Sequence, residues 1–209
     1  MAVYPDRPLR ADAARNVERL VRAARTVYAA AGPDALLEDV ARHAGVGART
    51  LYRHFPTKAD LVRAALEQSL AEDLAPAMMR ALADDDPYRG LVSLVEAALS
   101  MASREFNTLA AAKHAGSLTA DLSSPFFEAL STLTERAQQA GRIRGDLVAD
   151  DLRRIMAMLF SVLWTMDPES DGWRRYLGLV LDSLSPPAAS SLPAAPILRY
   201  PSRPHGWPI

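Results

Sequence analysis

Residues 36–58 read LLEDVARHAGVGARTLYRHFPTK, and this pattern predicts two short helices joined by a tight turn. Two such helices that cross at a wide angle need a small residue where they touch and a residue that accepts left-handed backbone at the turn. Ala41 and Gly45 meet these two needs. The apolar residues of the stretch then face a supporting helix: Val40, Ala44, Val46, Leu51 and Phe55. The stretch is therefore predicted to be a helix-turn-helix.

The residues left on the outside are short, polar or basic, and they lie on the second helix and its ends: Gly47, Ala48, Arg49, Thr50, Arg53 and His54. In helix-turn-helix proteins the second helix enters the major groove of DNA. We assign direct base readout to Arg49, because a guanidinium can bond both acceptors on the edge of a guanine. The pattern predicts a DNA-binding domain at this end of the chain.

The distribution of charge agrees with this prediction. The whole chain has a net charge of -1, but residues 1–58 contain ten Lys/Arg and six Asp/Glu. The following 151 residues contain fourteen Lys/Arg and nineteen Asp/Glu, so the basic charge is concentrated in the first quarter. A basic segment joined to a slightly acidic body is typical of a nucleic-acid-binding domain attached to a domain with another task.

The rest of the chain reads as helices, with no alternating strand pattern, so an all-α fold is predicted. A first helix ends at Gly32, and Pro76 is expected to break a later one. The remaining helices are expected at about 36–43, 48–54, 58–74, 76–83, 88–104, 106–115, 124–140, 149–166 and 171–184. We expect a three-helix DNA-binding domain over 1–58 and a helical ligand-binding and dimerisation domain over 59–184. Residues 185–209 contain seven prolines and are expected to form an extended or disordered tail.

Residues 12–66 resemble the DNA-binding domain of the tetracycline-repressor (TetR) family. The resemblance rests on Asp39-Val40-Ala41, on Ala44-Gly45-Val46, and on the run from Thr50 to Phe55 followed by Lys58. It implies that the helix from Gly47 to Arg53 reads the groove. It also implies that Tyr52, His54 and Lys58 contact phosphates and that Thr50 lies close to a base or phosphate. Tyr, His and Lys side chains are suitable donors to phosphate oxygens.

Two positions depart from the family pattern. Leu36 stands where Thr or Ser usually opens the first helix of the motif, and Gly47 stands where Ser is usual. Each change removes a helix cap and a potential phosphate contact. These departures keep open an alternative, in which the chain is a helical protein–protein adaptor with a degenerate DNA-binding head.

The resemblance further implies a helical body that buries an apolar cavity for a small-molecule effector. Methionines and aromatic residues suit an apolar or aromatic ligand. The candidate ligand-binding residues, polar ones included, are Met78, Met101, Arg104, Phe106, Asn107, His114, Phe127, Phe160 and Trp164.

The last two predicted helices are rich in apolar residues, and we expect them to form a homodimer interface. Apolar residues surround the helix from Ile155 to Met166, so it needs cover on more than one side. Paired with their symmetry mates, the two helices would form a four-helix interface. The candidate interface residues are Leu159, Leu163, Trp173, Leu177, Val180, Leu181 and Leu184.

Several classes of protein are not supported by the sequence. The chain has no cysteine, which excludes disulfides and thiolate metal sites and fits a reducing cytoplasm. The four histidines lack metal-ligand spacing, and no nucleophile elbow, phosphate loop or zinc-protease motif occurs, so we expect no metal, no cofactor and no enzyme. We expect no secretory signal, because the N-terminus carries Asp6, Arg7 and Arg10 and no apolar h-region. We expect no membrane span, because the longest apolar run, Ile155 to Met166, is too short to cross a bilayer.

Overall fold

The computed structural model describes residues 6–167, 170–186, 190, 192 and 193, with side chains from residue 12 onward. Ten α-helices and one π-helical turn, and no strand, occur in these ranges. The α-helices are α1 (Asp6–Ala31), α2 (Leu37–Ala44), α3 (Ala48–His54), α4 (Lys58–Ser69), α5 (Ala75–Leu82), α6 (Pro87–Arg104), α7 (Phe106–His114), α8 (Ala120–Gln139), α9 (Ala149–Leu163) and α10 (Trp173–Ser183). The predicted all-α class is confirmed. Most of the predicted tail over 185–209 lies outside the described residues.

The chain divides into two compact units. Unit 1 comprises Met1–Gln68 and Glu105–Leu118, and unit 2 comprises Ser69–Arg104 and Thr119–Ile209. This division differs from the expected boundary at residue 58, because nearly all of α4 and the whole of α7 fall in unit 1. The reason is shared burial: Leu61 and Val62 of α4 and Ala112 of α7 are buried in the same apolar core as α1.

Unit 1 is built around α1, whose Leu20 and Tyr28 are among its fully buried side chains. The beginning of α4 is fixed by a reciprocal cap between Thr57 and Asp60. The Thr57 hydroxyl accepts the backbone N–H of Asp60 at 3.2 Å, and the Asp60 carboxylate accepts the backbone N–H of Thr57 at 3.0 Å. Such a cap satisfies two backbone donors that the first turn of a helix leaves without partners.

The predicted break at Pro76 takes the form of a π-helical turn. Helix α4 runs into the π turn Leu70–Leu74, and α5 then begins with Pro76 in its first turn. Proline lacks an N–H and its ring crowds the carbonyl four residues earlier, so a regular α-helix through this point is disfavoured. The wider π turn changes the register just before the proline, and helical structure continues beyond it.

Unit 2 places α6 against α5, α8 and α9. Gly90 permits the close approach of α5 and α6, because an added Cβ would lie 2.5 Å from the carbonyl oxygen of Ala81. Helix α8 starts at Ala120 rather than near 124, and it accommodates Pro125 within its length. The adjacent Phe126 and Phe127 are both buried, and this packing holds the proline-containing segment in helical form.

Candidate nucleic-acid interface

The turn between α2 and α3 has the conformation that its glycine predicts. Gly45 adopts a left-handed backbone conformation, with φ +65° and ψ +36°. Its N–H donates to the carbonyl of Arg42 at 3.1 Å, and the N–H of Val46 donates to the carbonyl of Ala41 at 3.0 Å. The Arg19 guanidinium donates to the carbonyl of Ala44, so both backbone and side-chain groups close the end of α2. Gly45 avoids the steric strain that a Cβ brings in this region.

The predicted inward face of the motif is buried as expected. Val40 and Leu51 are fully buried, Ala41, Ala44 and Phe55 are nearly so, and Val46 is partly buried against the same core. Helix α3 has only seven residues and buries Leu51 alone among them. A helix this short has little stability of its own, so packing on α1 and α2 holds it in place.

The set of eight residues predicted to contact DNA lies together on α3 and its two ends. Five of its members are exposed: Gly47, Ala48, Arg49, Tyr52 and Arg53. Three are partly buried: Thr50, His54 and Lys58. The structure therefore brings together all eight residues that the sequence assigned to DNA contact.

Arg49 and Arg53 differ from the other arginines of unit 1. Among the arginines of unit 1 whose side chains are described, six form a hydrogen bond or ion pair: Arg15, Arg19, Arg22, Arg25, Arg42 and Arg63. Within that described part, Arg49 and Arg53 form neither. They are four residues apart on α3, which places them on one helix face. The outer face of α3 thus presents two unpaired guanidinium groups.

Tyr52 forms a contact that the sequence pattern did not indicate. Its hydroxyl donates to Oε1 of Glu38 on α2 at 2.7 Å. This bond lowers the pKa of the Glu38 carboxyl and raises the pKa of the Tyr52 hydroxyl, because each group is stabilised in its bonded protonation state. Glu38 lies at i−14 from Tyr52, a spacing that carries no signal by itself, and only the folded turn brings them together.

Lys58 lies at the edge of this surface and has partners within the protein. Its ammonium donates to the carbonyls of Pro33 at 2.9 Å and Ala35 at 3.1 Å, and it lies 5.5 Å from the centre of the Tyr28 ring. An ammonium has three N–H donors. Two of them serve the loop between α1 and α2, so the predicted phosphate contact has to use the third.

The orientation of the His54 ring limits its predicted contact with a DNA phosphate. Nε2 of His54 is buried and has no hydrogen-bond partner in the described part of the chain, so a phosphate contact requires Nδ1 or another rotamer.

Leu36 is the N-cap of α2 and is 62% exposed, and Gly47 is the N-cap of α3. Neither makes a side-chain capping bond, so the expected loss of both caps is seen in the structure.

The predicted ligand-binding residues are split between the two units. Met101 and Phe127 are buried in unit 2, Met78 and Phe160 are partly buried there, and Trp164 is 39% exposed. Arg104 is exposed and pairs with Asp73 at 3.2 Å.

Phe106, Asn107 and His114 belong to unit 1, whereas the other candidates belong to unit 2. They lie on α7 in unit 1, where the Asn107 amide donates to the carbonyl of Ala29 on α1 at 3.2 Å and His114 is exposed. The physical reason is that α7 packs its alanines on α1. The alanine-rich composition of α7 could have indicated such close helix packing.

A small cavity of about 20 Å³, roughly the space of one water molecule, lies within unit 2 between α6, α8, α9 and α10. Its walls are almost entirely aliphatic and include Leu91, Leu130, Met156 and Leu177. None of the predicted ligand-binding residues lines it. Aliphatic residues at helix spacing are the usual core pattern, so the sequence offered no signal to distinguish these walls from solid core.

Most of the predicted dimer residues are covered within their own protomer. Five are buried: Leu159, Leu163, Trp173, Leu177 and Leu184. Val180 and Leu181 are partly buried and line the cavity of unit 2. The predicted stripe of α10 therefore packs largely inward on α9 and α6. The apolar groups that α9 and α10 leave exposed are others, namely Met158, Tyr176 and Leu179.

The described residues offer neither a metal site nor a membrane span. No group of three or more His, Asp or Glu side chains could hold a metal ion. None of the described helices is both long and apolar enough to cross a membrane.

Comparisons with known proteins identify the family. Residues 20–65 match the model for bacterial regulatory proteins of the tetR family, and residues 48–186 match that for the C-terminal domain of SbtR-like transcriptional regulators. No curated protein matches the chain significantly.

Solved structures give the same result. The TetR transcriptional regulator SCO0520 from Streptomyces coelicolor is 31% identical, with a TM-score of 0.58, over 81% of this chain and 98% of its own. The TetR regulatory protein from Mycobacterium vanbaalenii is 28% identical, with a TM-score of 0.57, over 85% of this chain and 99% of its own. LfrR from Mycobacterium smegmatis, solved in complex with proflavine, is 22% identical, with a TM-score of 0.57, over 85% of this chain and 98% of its own.

The adaptor alternative gains no support from these comparisons. Because a family model covers well over half of the chain and a solved relative is 31% identical, the chain belongs to the tetR family of bacterial regulatory proteins, which are ligand-responsive DNA-binding repressors of transcription.

Proposed function

We propose that α3 of this regulator enters the major groove of its operator, where Arg49 reads a base and the surrounding polar residues hold phosphates. The observation that carries the proposal is the unpaired state of Arg49 and Arg53 on an exposed helix face, in a unit whose other described arginines are bonded. An unpaired guanidinium can bond a guanine edge or a phosphate without first breaking an internal contact.

The other members of the surface complete the interface in this proposal. Tyr52, Thr50, His54 and Lys58 hold the sugar–phosphate backbone and set the register of α3 without reading sequence. Gly47 and Ala48 open α3 with minimal side chains, and the space around Gly47 is empty. This small N-terminus allows α3 to approach the floor of the groove closely.

The DNA assignment is tested by titrating the protein with a duplex from upstream of its own coding region and with a random duplex of equal length. We expect tighter binding to the upstream duplex. For both duplexes the logarithm of affinity should fall linearly with the logarithm of salt concentration, because phosphate contacts release counterions. Absence of binding to both duplexes at low salt would contradict the proposal.

For the effector, we propose a largely apolar small molecule that binds in the interior of unit 2. The proposal is supported by the aliphatic lining of the small cavity between α6, α8, α9 and α10 and by the buried Met101 and Phe127. A ligand larger than water requires these helices to move apart. LfrR, a fold relative, is described in complex with proflavine. Regulators of this family are generally not enzymes, and we propose that the chain acts by binding alone.

A ligand shifts a conformational equilibrium only through its different affinities for the two states. We therefore expect a compound that raises the melting temperature of the protein also to weaken its DNA binding. Compounds that stabilise the protein and leave DNA affinity unchanged would contradict an effector role for the site they occupy.

The assembly that we propose is a two-fold dimer formed through the exposed apolar groups of α9 and α10. Met158 is 56% exposed, Tyr176 44% and Leu179 57%, although α9 and α10 belong to the folded body of unit 2. Large apolar side chains on adjacent helices are typical of interfaces. A two-fold dimer places two reading helices at a fixed separation on one operator.

A further inference from the structure

The surface around α3 contains one negatively charged group in direct contact with a proposed phosphate donor. Glu38 lies in the first turn of α2, and its carboxylate accepts the hydroxyl of Tyr52 at 2.7 Å. Both side chains are exposed on this surface. The carboxylate therefore lies where the proposed DNA complex would bring a phosphate.

The chemistry of the tyrosine hydroxyl makes the contact exclusive. A phenol has one O–H and donates one hydrogen bond. While Tyr52 donates to Glu38, it cannot donate to a phosphate oxygen. Carboxylate and phosphate are both anionic acceptors, so they compete for the same proton, and their like charges repel at this range.

We infer that Glu38 is an affinity-limiting residue, which competes with the DNA backbone for the hydroxyl of Tyr52. The inference rests on the proposed function of α3. Because phosphate contacts carry no sequence information, the competition weakens binding to every DNA sequence alike. Stable occupancy then depends on the base contacts of Arg49, and the protein leaves non-cognate DNA more readily.

The test is a double-mutant cycle between Glu38 and Tyr52, read as affinity for the upstream duplex and for a random duplex. Glu38→Ala removes both the acceptor and the charge, and we expect it to tighten binding to both duplexes about two- to fivefold, the range of a single exposed polar interaction. Glu38→Gln keeps an acceptor for the hydroxyl and removes the charge, so its gain should be smaller. In a Tyr52→Phe background, Glu38→Ala should lose most of its effect, because no hydroxyl remains to compete for.

A matched control separates this competition from a general charge effect. Glu18→Gln on α1 removes one negative charge from unit 1 and breaks only an exposed pair with Arg22. We expect this variant to change affinity much less than Glu38→Ala. Two outcomes would show that only net charge matters and would overturn the inference. One is an equal gain in DNA affinity from Glu18→Gln and Glu38→Ala. The other is a gain from Glu38→Ala that is undiminished in the Tyr52→Phe background.

Weaker binding of Glu38→Ala would also overturn it, because Glu38 would then position Tyr52 for DNA rather than compete with it. Each of these outcomes leaves the wild-type protein bound to DNA, so the proposed function stands. Failure of the wild-type protein to bind either duplex at low salt would overturn the proposed function and this inference together.

Discussion

The guanidinium of Arg25 on α1 donates to Oε1 of Glu105 through two nitrogens, Nε at 2.8 Å and Nη2 at 2.7 Å. The Glu105 side chain is 8% exposed and that of Arg25 is 24% exposed. Glu105 is the N-cap residue of α7, so the pair connects α1 to the helix that completes unit 1. A charged pair of this kind matters most when one partner is removed, because the remaining charge stays largely buried.

We predict that Glu105→Gln lowers the free energy of unfolding of unit 1 by about 1–3 kcal/mol, the cost of leaving a partly buried charged donor without its anionic partner. Urea denaturation followed by circular dichroism measures this change. Glu18→Gln, which breaks an exposed pair with Arg22, is the matched control and should change stability by less than about 1 kcal/mol. Equal losses from the two variants would show that the Arg25–Glu105 pair does not stabilise the attachment of α7.

Lys58 is predicted to have two separable roles. Its ammonium holds the carbonyls of Pro33 and Ala35, so Lys58→Ala should reduce stability by about 1–2 kcal/mol through two lost charge-assisted bonds. If its third donor also bonds a phosphate, the same variant should reduce the log–log salt slope of DNA binding by about one. Denaturation measures the first effect and salt titration the second. A stability loss with an unchanged salt slope would remove Lys58 from the DNA contacts and leave it as a support for the loop.

The helix-turn-helix could be predicted closely because its determinants are local. The need for left-handed backbone at Gly45, the inward spacing of Val40 and Leu51, and the outward position of Arg49 all follow from residues within one short stretch. Contacts that depend on how neighbouring segments pack in space could not be predicted in this way. The Tyr52–Glu38 bond and the partners of Lys58 depend on where α2 and the preceding loop lie in space.

The body was predicted less well for a related reason. Periodicity shows that one face of a helix is apolar, but it does not say which neighbour covers that face. The stripe of Leu177 and Leu184 on α10 fits a dimer interface and an internal core equally well, and the structure buries it inside the protomer. The position of α7 in unit 1 likewise follows from packing against α1. The alanines of α7 indicate close packing on another helix, but they do not specify which helix.

Tyr28 is predicted to make the stability of unit 1 sensitive to high pH. Its side chain is fully buried and its hydroxyl has no hydrogen-bond partner among the described residues. Burial raises the pKa of Tyr28 from 10.0 to about 12, because desolvation penalises the phenolate. The unfolded chain therefore loses this proton between pH 10 and about 12 while the folded chain retains it. The contribution of Tyr28 to the free energy of unfolding is therefore complete below pH 10. It is lost as the pH rises from 10 to about 12, because the unfolded chain then releases a proton that the folded chain keeps.

Denaturation at pH 9 and at pH 11 compares the wild-type protein with Tyr28→Phe. The variant should lose less stability between the two pH values. At pH 9 it should be at least as stable as the wild type, because it removes a buried hydroxyl that lacks a partner. Tyr88→Phe, which removes a hydroxyl from α6 in unit 2, is the control and should follow the wild-type protein. A Tyr28→Phe profile identical to that of the wild type would contradict the assigned role of burial.

Arg49 is predicted to read a base. Arg49→Ala should cost about 1–3 kcal/mol of binding free energy on the cognate duplex and should relax the preference at one base position. Arg42→Ala is the matched control, because it removes an exposed arginine of α2 that is already paired with Asp39. Affinities for a panel of single-base variants of the cognate duplex measure the change in preference. An equal loss for Arg49→Ala on cognate and random DNA would move this residue to the phosphate contacts.

The last prediction concerns the proposed dimer face, formed by the exposed apolar residues Met158, Tyr176 and Leu179 of α9 and α10. Leu179→Arg puts a charge at the most exposed apolar side chain of α10 and leaves the buried Leu177 untouched, so the variant should fold normally. We expect it to be a monomer at micromolar concentration, because an unpaired charge cannot be buried against an apolar partner at low cost. A monomer presents one reading helix, so cooperative operator binding should be lost as well.

Met79→Arg on α5 is the matched control, since Met79 is 67% exposed and lies outside the proposed face. Multi-angle light scattering and circular dichroism on both variants separate loss of assembly from loss of folding. A dimeric Leu179→Arg variant would exclude this face as the interface, and a monomeric wild-type protein that binds its operator tightly would exclude the dimer itself.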